Sequence, residues 1–144
     1  MSGDFKNLTF CFDDMSFCGI PLGKKIGNRG DGVERNRNDG YEIEIIDNRI
    51  GRVSFFFHGQ HYGFSAFQGT LEKDQENLQL CDKTSKEDVI AIFGLPSDEW
   101  SDYIEENLSF HYKEYLLEFS WSIEHEPKTL VYLAIDQTTC DQKT

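Results

Sequence analysis

Two histidines, His58 and His61, stand three positions apart and have the spacing in this chain that best suits a metal. Both imidazoles could bind Zn²⁺, but a structural zinc site needs four ligands. No Cys or carboxylate adjoins them at a useful spacing, and Cys81 could join them only through the fold. We therefore interpret the two side chains as structural histidines at the end of a strand and predict that no metal is bound.

Other catalytic patterns are equally incomplete. His111 and His125 are isolated in the sequence, and no local motif joins either to a cysteine as a nucleophile–base pair. Gly27-x-x-Gly30-x-Gly32 lies among basic residues but lacks the Gly-Lys-Ser/Thr of a phosphate-binding loop. We predict no catalytic residue and no cofactor, and we expect that the protein is not an enzyme.

The remaining candidate is the acidic, aromatic segment that follows Ser97. Aromatic anchors with charges that select the partner are typical of protein-binding hot spots. The alternative is that Trp100 and Ile104 cover the core while the carboxylates face water. The predicted partner-binding residues are Asp98, Glu99, Trp100, Asp102, Tyr103, Glu105 and Glu106.

The charge of the whole chain favours a protein partner over other classes. Its formal charge is −12 at pH 7, which argues against nucleic acid and against an anionic membrane surface. An acidic surface keeps a protein soluble and can also steer a basic partner towards it. No segment approaches the ~18 apolar residues of a membrane span, and the first residues do not resemble a signal peptide. We expect a cytoplasmic protein.

The most complete local pattern is a helix between Thr84 and Pro96. Thr84 can cap the first turn, with Glu87 as its capping-box partner. Gly94 suits a left-handed residue just past the helix end, and Pro96 prevents its continuation. The apolar stripe consists of Val89, Ile90, Ile92 and Phe93.

Strand patterns surround this helix. Alternation over 41–45 and 50–57 predicts a hairpin with a turn at Asp47-Asn48. Alternation over 108–112, 115–123 and 130–135 predicts a three-stranded meander. The segment 23–40 combines five Gly, three Asn and five Lys or Arg with few apolar residues, so we predict a mobile loop there. For 98–106 we predict a short second helix or an ordered loop.

These elements predict an α+β fold: a curved antiparallel sheet with one or two short helices packed on it. At 144 residues the chain fits a single domain over 1–144. Its N-terminal half, about 1–68, is rich in strands, and its C-terminal part, about 80–136, is the helix plus the meander. Four separated cysteines, without a C-x-x-C motif, are interpreted as free thiols, and a Cys11–Cys18 disulfide is the alternative.

The pattern Thr84-x-x-x-Asp88-Val89-x-x-x-Phe93-Gly94-x-Pro96, followed by strands with Tyr112, Phe119 and Trp121, resembles a known module. It is similar to β-lactamase-inhibitor-protein-like and BamE(SmpA)-like domains, and it recurs in bacterial toxin-immunity proteins. The similarity covers roughly 80–136. It implies a short helical unit packed on an antiparallel sheet and a protein-binding role.

Three functional hypotheses follow, of which the third and least specific is a structural or assembly subunit. The first is a cytoplasmic immunity protein that neutralises a cognate bacterial toxin, and its expected partner is a basic toxin domain. The second is a small enzyme or ligand-binding protein that uses a cleft near His58, His61 and the glycine-rich segment. A pocket of converging polar groups would favour the second hypothesis, and an exposed acidic patch with aromatic anchors would favour the first.

Overall fold

The computed structural model describes residues 8–27, 30–58, 63–124 and 128–137. It contains 52% strand and 7% helix, so the fold is mainly β and the predicted α+β class is wrong. The helix prediction came from one well-marked segment, whereas most of the remaining chain pairs into sheets. The strands are β1 Thr9–Cys11, β2 Ser16–Phe17, β3 Ile20–Pro21, β4 Gly32–Asn36, β5 Tyr41–Ile46, β6 Arg49–Phe56, β7 Thr70–Lys73, β8 Glu76–Asn77, β9 Asp98–Ser101, β10 Glu105–Tyr112, β11 Tyr115–Ser122 and β12 Thr129–Gln137.

The strands form two sheets. The larger one has seven strands in the order β4-β5-β6-β12-β11-β10-β9, and all its neighbouring pairs are antiparallel. The smaller one has the order β3-β2-β1-β7-β8, with β1 and β7 parallel. The pairing of β6 with β12 joins the N-terminal hairpin to the C-terminal meander within one sheet.

The core lies between the smaller sheet and one face of the larger sheet, which we call the inner face. Phe10 and Phe17 place their ring centroids 5.6 and 5.5 Å from that of Phe55 on β6. Edge-to-face contacts of this kind add to the apolar area that the rings bury. The buried phenylalanines of the inner face thus pack the two sheets together.

One helix, α1, spans Lys86–Phe93. Val89 is fully buried, and the Phe93 ring lies 5.2 Å from Phe12 and 5.6 Å from Phe119, measured between centroids. The helix therefore closes the core at the C-terminal half of the larger sheet. Within the described residues, no helix is long and apolar enough to cross a membrane.

The helix begins one residue later than predicted. Ser85 is the N-cap: its Oγ accepts a hydrogen bond from Asp88 N at 3.1 Å, and Asp88 Oδ2 accepts from Ser85 N at 3.1 Å. Thr84 is buried, and its hydroxyl accepts instead from Cys81 N. Its carbonyl accepts from Trp121 Nε1 at 2.8 Å, which ties the start of α1 to β11. Both residues can cap a helix, and packing selected Ser85.

The predicted glycine at the helix end is present with a positive φ. Gly94 has φ 92° and ψ −160°, a conformation that is almost restricted to glycine, although it differs from the left-handed helical one that we expected. The predicted hairpin is confirmed as β5 and β6, with Asp47 and Asn48 at φ 54° and 60°. The predicted meander is confirmed as β10, β11 and β12.

Two segments differ from their predictions. The segment 23–40 contains β4, which pairs with β5 along its whole length, so the expected loop is wrong there. The segment 98–106 contains β9 and the start of β10 and is neither a helix nor a loop. In both cases a polar strand forms a sheet edge, where burial is small and composition therefore carries little information.

The thiols of Cys11, Cys18 and Cys81 are free, so the alternative disulfide is not formed. Cys140 lies outside the described residues.

Candidate functional site

The predicted partner-binding segment lies at one edge of the larger sheet. β9 is the terminal strand there, and all four of its residues are exposed. Asp102 and Tyr103 lie in the turn to β10, and Glu105 and Glu106 begin β10. The structure therefore brings the seven predicted residues together in one hairpin.

The two faces of this hairpin separate the predicted residues. Opposite residues of an antiparallel pair share a face. Glu99 is opposite the buried Leu108, which places it on the inner face, whereas Trp100 is opposite Asn107 on the other face. We call this second face of the larger sheet the outer face. Asp98, opposite Ser109, lies on the outer face as well.

Two of the carboxylates are engaged by lysines on the inner side. Lys86 Nζ lies 3.2 Å from Glu99 Oε2 and 3.8 Å from Glu106 Oε1. Lys128 Nζ donates to Glu106 Oε2 at 3.1 Å. These contacts tie β9 and β10 to the first turn of α1, so we assign Glu99 and Glu106 a structural role.

Two further carboxylates hold the hairpin itself. Asp102 Oδ1 accepts hydrogen bonds from the backbone N of Ile104 and of Glu105, both at 2.9 Å. Glu105 Oε1 accepts from Asn107 Nδ2 at 3.1 Å and from Ser120 Oγ at 3.2 Å. Of the seven predicted residues, Asp98, Trp100 and Tyr103 remain as those whose side chains have no such bond within the described residues.

Exposed large apolar side chains are concentrated in the hairpin and just before it. Six large apolar side chains are exposed among the described residues, and four of them lie between positions 95 and 104. Tyr103 is 97% exposed, and Trp100 is 46% exposed. The four side chains are those of Leu95, Trp100, Tyr103 and Ile104. Ile104 is 50% exposed, so the alternative that Trp100 and Ile104 cover the core accounts for only about half of each residue.

The outer face also contains a cavity that the sequence did not reveal, which we call the arginine cavity. Its volume is about 520 Å³. Arg35 and Glu42 come from the β4–β5 hairpin, alternating residues of β6 form its floor, and Tyr132 on β12 closes one side. The lining residues are Arg35, Arg37, Glu42, Arg52, Ser54, Phe56, Phe64 and Tyr132.

The three guanidinium groups differ in their surroundings. Arg35 Nε lies 3.3 Å from Glu42 Oε1, and Arg52 Nη1 lies 3.5 Å from Asp136 Oδ2. Arg37 lies over the ring of Phe64, with 5.5 Å between its Cζ and the ring centroid. Arg35 and Arg37 belong to the segment that we predicted to be a loop. The alternation of Arg52, Ser54 and Phe56 along β6 was the one sequence feature that could have indicated this surface.

Partial burial changes the titration of the outer face. Burial raises the pKa of Glu118, of Asp136 and of the Tyr132 phenol above their ordinary values. Arg52 opposes the shift for all three groups, but it does not cancel the loss of hydration. The centre of the outer face is therefore drier than an open sheet surface.

The histidines do not form a site within the described part of the chain. His58 is exposed, with its Nδ1 3.8 Å from Asp82 Oδ2, and His61 lies outside the described residues, as does His125. His111 is exposed on β10. Among the described residues, no three His, Cys, Asp or Glu side chains are grouped so that they could hold a metal ion.

The cleft that the second hypothesis places near His58 and His61 stays a prediction, because His61 lies outside the described residues. The arginine cavity is lined by Phe56 and Phe64, which lie on either side of those histidines in sequence, but by neither histidine among its described residues.

Comparison of the chain with protein-family models, with curated proteins and with solved structures found no match.

Proposed function

We propose that the protein binds a protein partner through its edge surface, which we define as Leu95, Asp98, Trp100, Tyr103 and Ile104. The observation that carries this proposal is the concentration of exposed large apolar side chains between positions 95 and 104. Interface hot spots are rich in Trp and Tyr, whose rings bury much area at a small entropic cost. Large apolar side chains exposed on one part of a surface are typical of interaction sites.

The backbone of β9 supports the same surface. β9 is a terminal strand of the larger sheet, so among the described residues one side of its backbone has no neighbouring strand in the sheet. Such an edge can accept a strand from a partner, whose side chains then contact alternate residues of the edge strand. Trp100 and Asp98 are positioned to make those contacts on the outer face.

Charge favours a basic partner. The chain has a formal charge of −12, which would speed the approach of a positively charged domain. We propose that the partner is a bacterial toxin domain and that the protein is a cytoplasmic immunity protein that neutralises it by covering its active surface. The resemblance of residues 80–136 to modules of that kind motivates this finer proposal.

The test searches the genes that adjoin this protein's gene for a basic toxin domain and then measures binding kinetics to the purified domain. We expect Trp100→Ala and Tyr103→Ala each to weaken binding by roughly 30-fold, mainly through faster dissociation, because truncating an anchor costs about 2 kcal/mol or more. Ile46→Ala is the matched control, since Ile46 is also 46% exposed but lies on β5. Unchanged dissociation in both aromatic variants would refute the edge surface.

Electrostatic steering is tested separately at Asp98. Neutralising all the predicted carboxylates together would break the bonds of Glu99, Asp102, Glu105 and Glu106 described above. Asp98→Lys avoids this problem. It should slow association at low salt, and the difference from the wild type should shrink as salt is added, because steering by exposed charges is screened within about 8 Å at physiological ionic strength. An association rate equal to that of the wild type would contradict this role.

A further inference from the structure

We propose that the arginine cavity is a second, independent binding site, and that it takes a small molecule in which a carboxylate or phosphate is attached to a flat ring. The edge surface plays no part in this inference. The inference rests on three features of the cavity: guanidinium donors, a flat aromatic wall and a size suited to one small ligand.

The anionic group is indicated by the arginines. A guanidinium carries five N–H donors in a planar fork that matches a carboxylate or phosphate. The ion pairs of Arg35 and Arg52 each involve one nitrogen within 4 Å of a carboxylate, so both groups retain donors that can turn towards a ligand. Arg37 contacts the Phe64 ring, and within the described residues it pairs with no carboxylate. The cavity therefore gathers three guanidinium groups in a chain whose net charge is −12, which favours an anionic ligand at this place.

The ring is indicated by the aromatic wall. Phe56 and Phe64 are stacked, with centroids 4.1 Å apart and planes inclined by 20°. The Tyr132 centroid lies 6.3 Å from that of Phe56. Phe56 and Phe64 are only 5% and 3% exposed, so a flat ring would pack on the small part of them that lines the cavity, beside Tyr132.

Polar groups at the base of the cavity can orient such a ligand. Ser54 on β6 is buried and lies opposite Glu42 on β5 and Ala134 on β12. Its hydroxyl can donate or accept a hydrogen bond. The Tyr132 phenol has an ordinary pKa of 10, which burial raises further, so it is protonated at neutral pH and can donate as well. A volume of about 520 Å³ falls within the usual range for small-molecule sites.

The test is a calorimetric or NMR titration of the full chain with benzoate, phenyl phosphate and adenosine monophosphate. Acetate and inorganic phosphate serve as anions without a ring. We expect at least one ring-bearing anion to bind at least tenfold more tightly than its ringless counterpart. Tighter binding of benzoate or phenyl phosphate would indicate a simple aromatic acid as the ligand class. Tighter binding of adenosine monophosphate would indicate a nucleotide. No detectable binding of any ring-bearing anion at about 10 mM would overturn the proposal.

Variants locate the site. Arg37→Ala should weaken binding by about tenfold or more, because hydrogen bonds to charged groups are among the strong ones. Arg37→Lys should recover only part of the loss, since lysine keeps the charge but lacks the planar fork. Arg35→Ala is a second variant should the first one unfold. Arg49→Ala is the matched control, because Arg49 is exposed on β6 but does not line the cavity. An equal loss in Arg49→Ala, or ringless anions binding as tightly as ring-bearing ones, would show a nonspecific charge effect and refute the site.

Discussion

Ser85 holds the first turn of α1 through two reciprocal bonds with Asp88. Such a cap satisfies two backbone N–H groups that the helix itself leaves without partners. Ser85→Ala should therefore lower the free energy of unfolding by about 1 kcal/mol. Urea denaturation measures this change. Ser101→Ala, at an exposed position of β9, should change stability by less than about 0.5 kcal/mol. Equal effects of the two substitutions would contradict the assignment of the cap.

The edge surface shows how single residues with similar chemistry take different roles. Glu106 and Asp98 are both acidic, yet Glu106 is held by Lys128 while Asp98 lies on the outer face. The order of the residues in a strand decides this difference, because alternate side chains point to opposite faces. A carboxylate count along the sequence therefore overstates the number of charges that a partner can meet.

At the scale of elements, the tight turn between β7 and β8 offers a simple test of the backbone. Asp74 and Gln75 have φ values of 56° and 65°, which L-residues adopt at a cost of about 1–2 kcal/mol. Their backbone N–H groups both donate to the Asp13 carboxylate. These bonds lower the pKa of Asp13, with the bond from Asp74 as the largest cause.

Gln75→Gly should raise the free energy of unfolding by about 0.5 kcal/mol. Glycine relieves the strain at positive φ and keeps the backbone bond to Asp13, although it also gains entropy in the unfolded chain. The midpoint of chemical denaturation gives the change. Gln79→Gly, an exposed control where φ is not positive, should give no gain and a small loss. A loss of stability in Gln75→Gly would contradict the described turn.

At the scale of the whole molecule, the partly buried outer face should impose a pH dependence on stability. Burial is the largest cause that raises the pKa of Glu118, with Asp136 and Glu105 adding to it and Arg52 opposing it. The folded state therefore binds this proton more tightly than the unfolded state. Between the ordinary pKa of 4.5 and the raised one, stability falls as the pH increases.

Glu118→Gln should remove part of that fall. We expect the free energy of unfolding of the wild type to decrease from about pH 4.5 towards neutrality by more than that of the variant. Urea titrations at several pH values measure the difference between the two slopes. Glu76→Gln, an exposed position of β8, is the control and should leave the slope of the wild type unchanged. Identical slopes for Glu118→Gln and the wild type would show that burial does not perturb this carboxyl group.

Local patterns were predictable wherever neighbouring residues decide the structure. The turn at Asp47-Asn48 follows from side chains that tolerate positive φ, and the inward positions of Tyr41, Ile43 and Ile45 follow from alternation. The fold class was wrong because a well-marked helix outweighed several polar, short strands. Those strands, such as β4 and β9, form through pairing with neighbours rather than through their own composition.

The sequence by itself determined the net charge, the β5–β6 hairpin, the C-terminal meander and the helix near Ser85, because each depends on composition or on contacts between nearby residues. Only the tertiary structure decided that β6 pairs with β12, in a register that places Phe56 opposite Tyr132. That pairing joins residues more than 70 positions apart, and it brings Arg35, Arg52 and Tyr132 around one cavity. Register between distant strands is set by how whole faces pack against the core, and no local spacing encodes it.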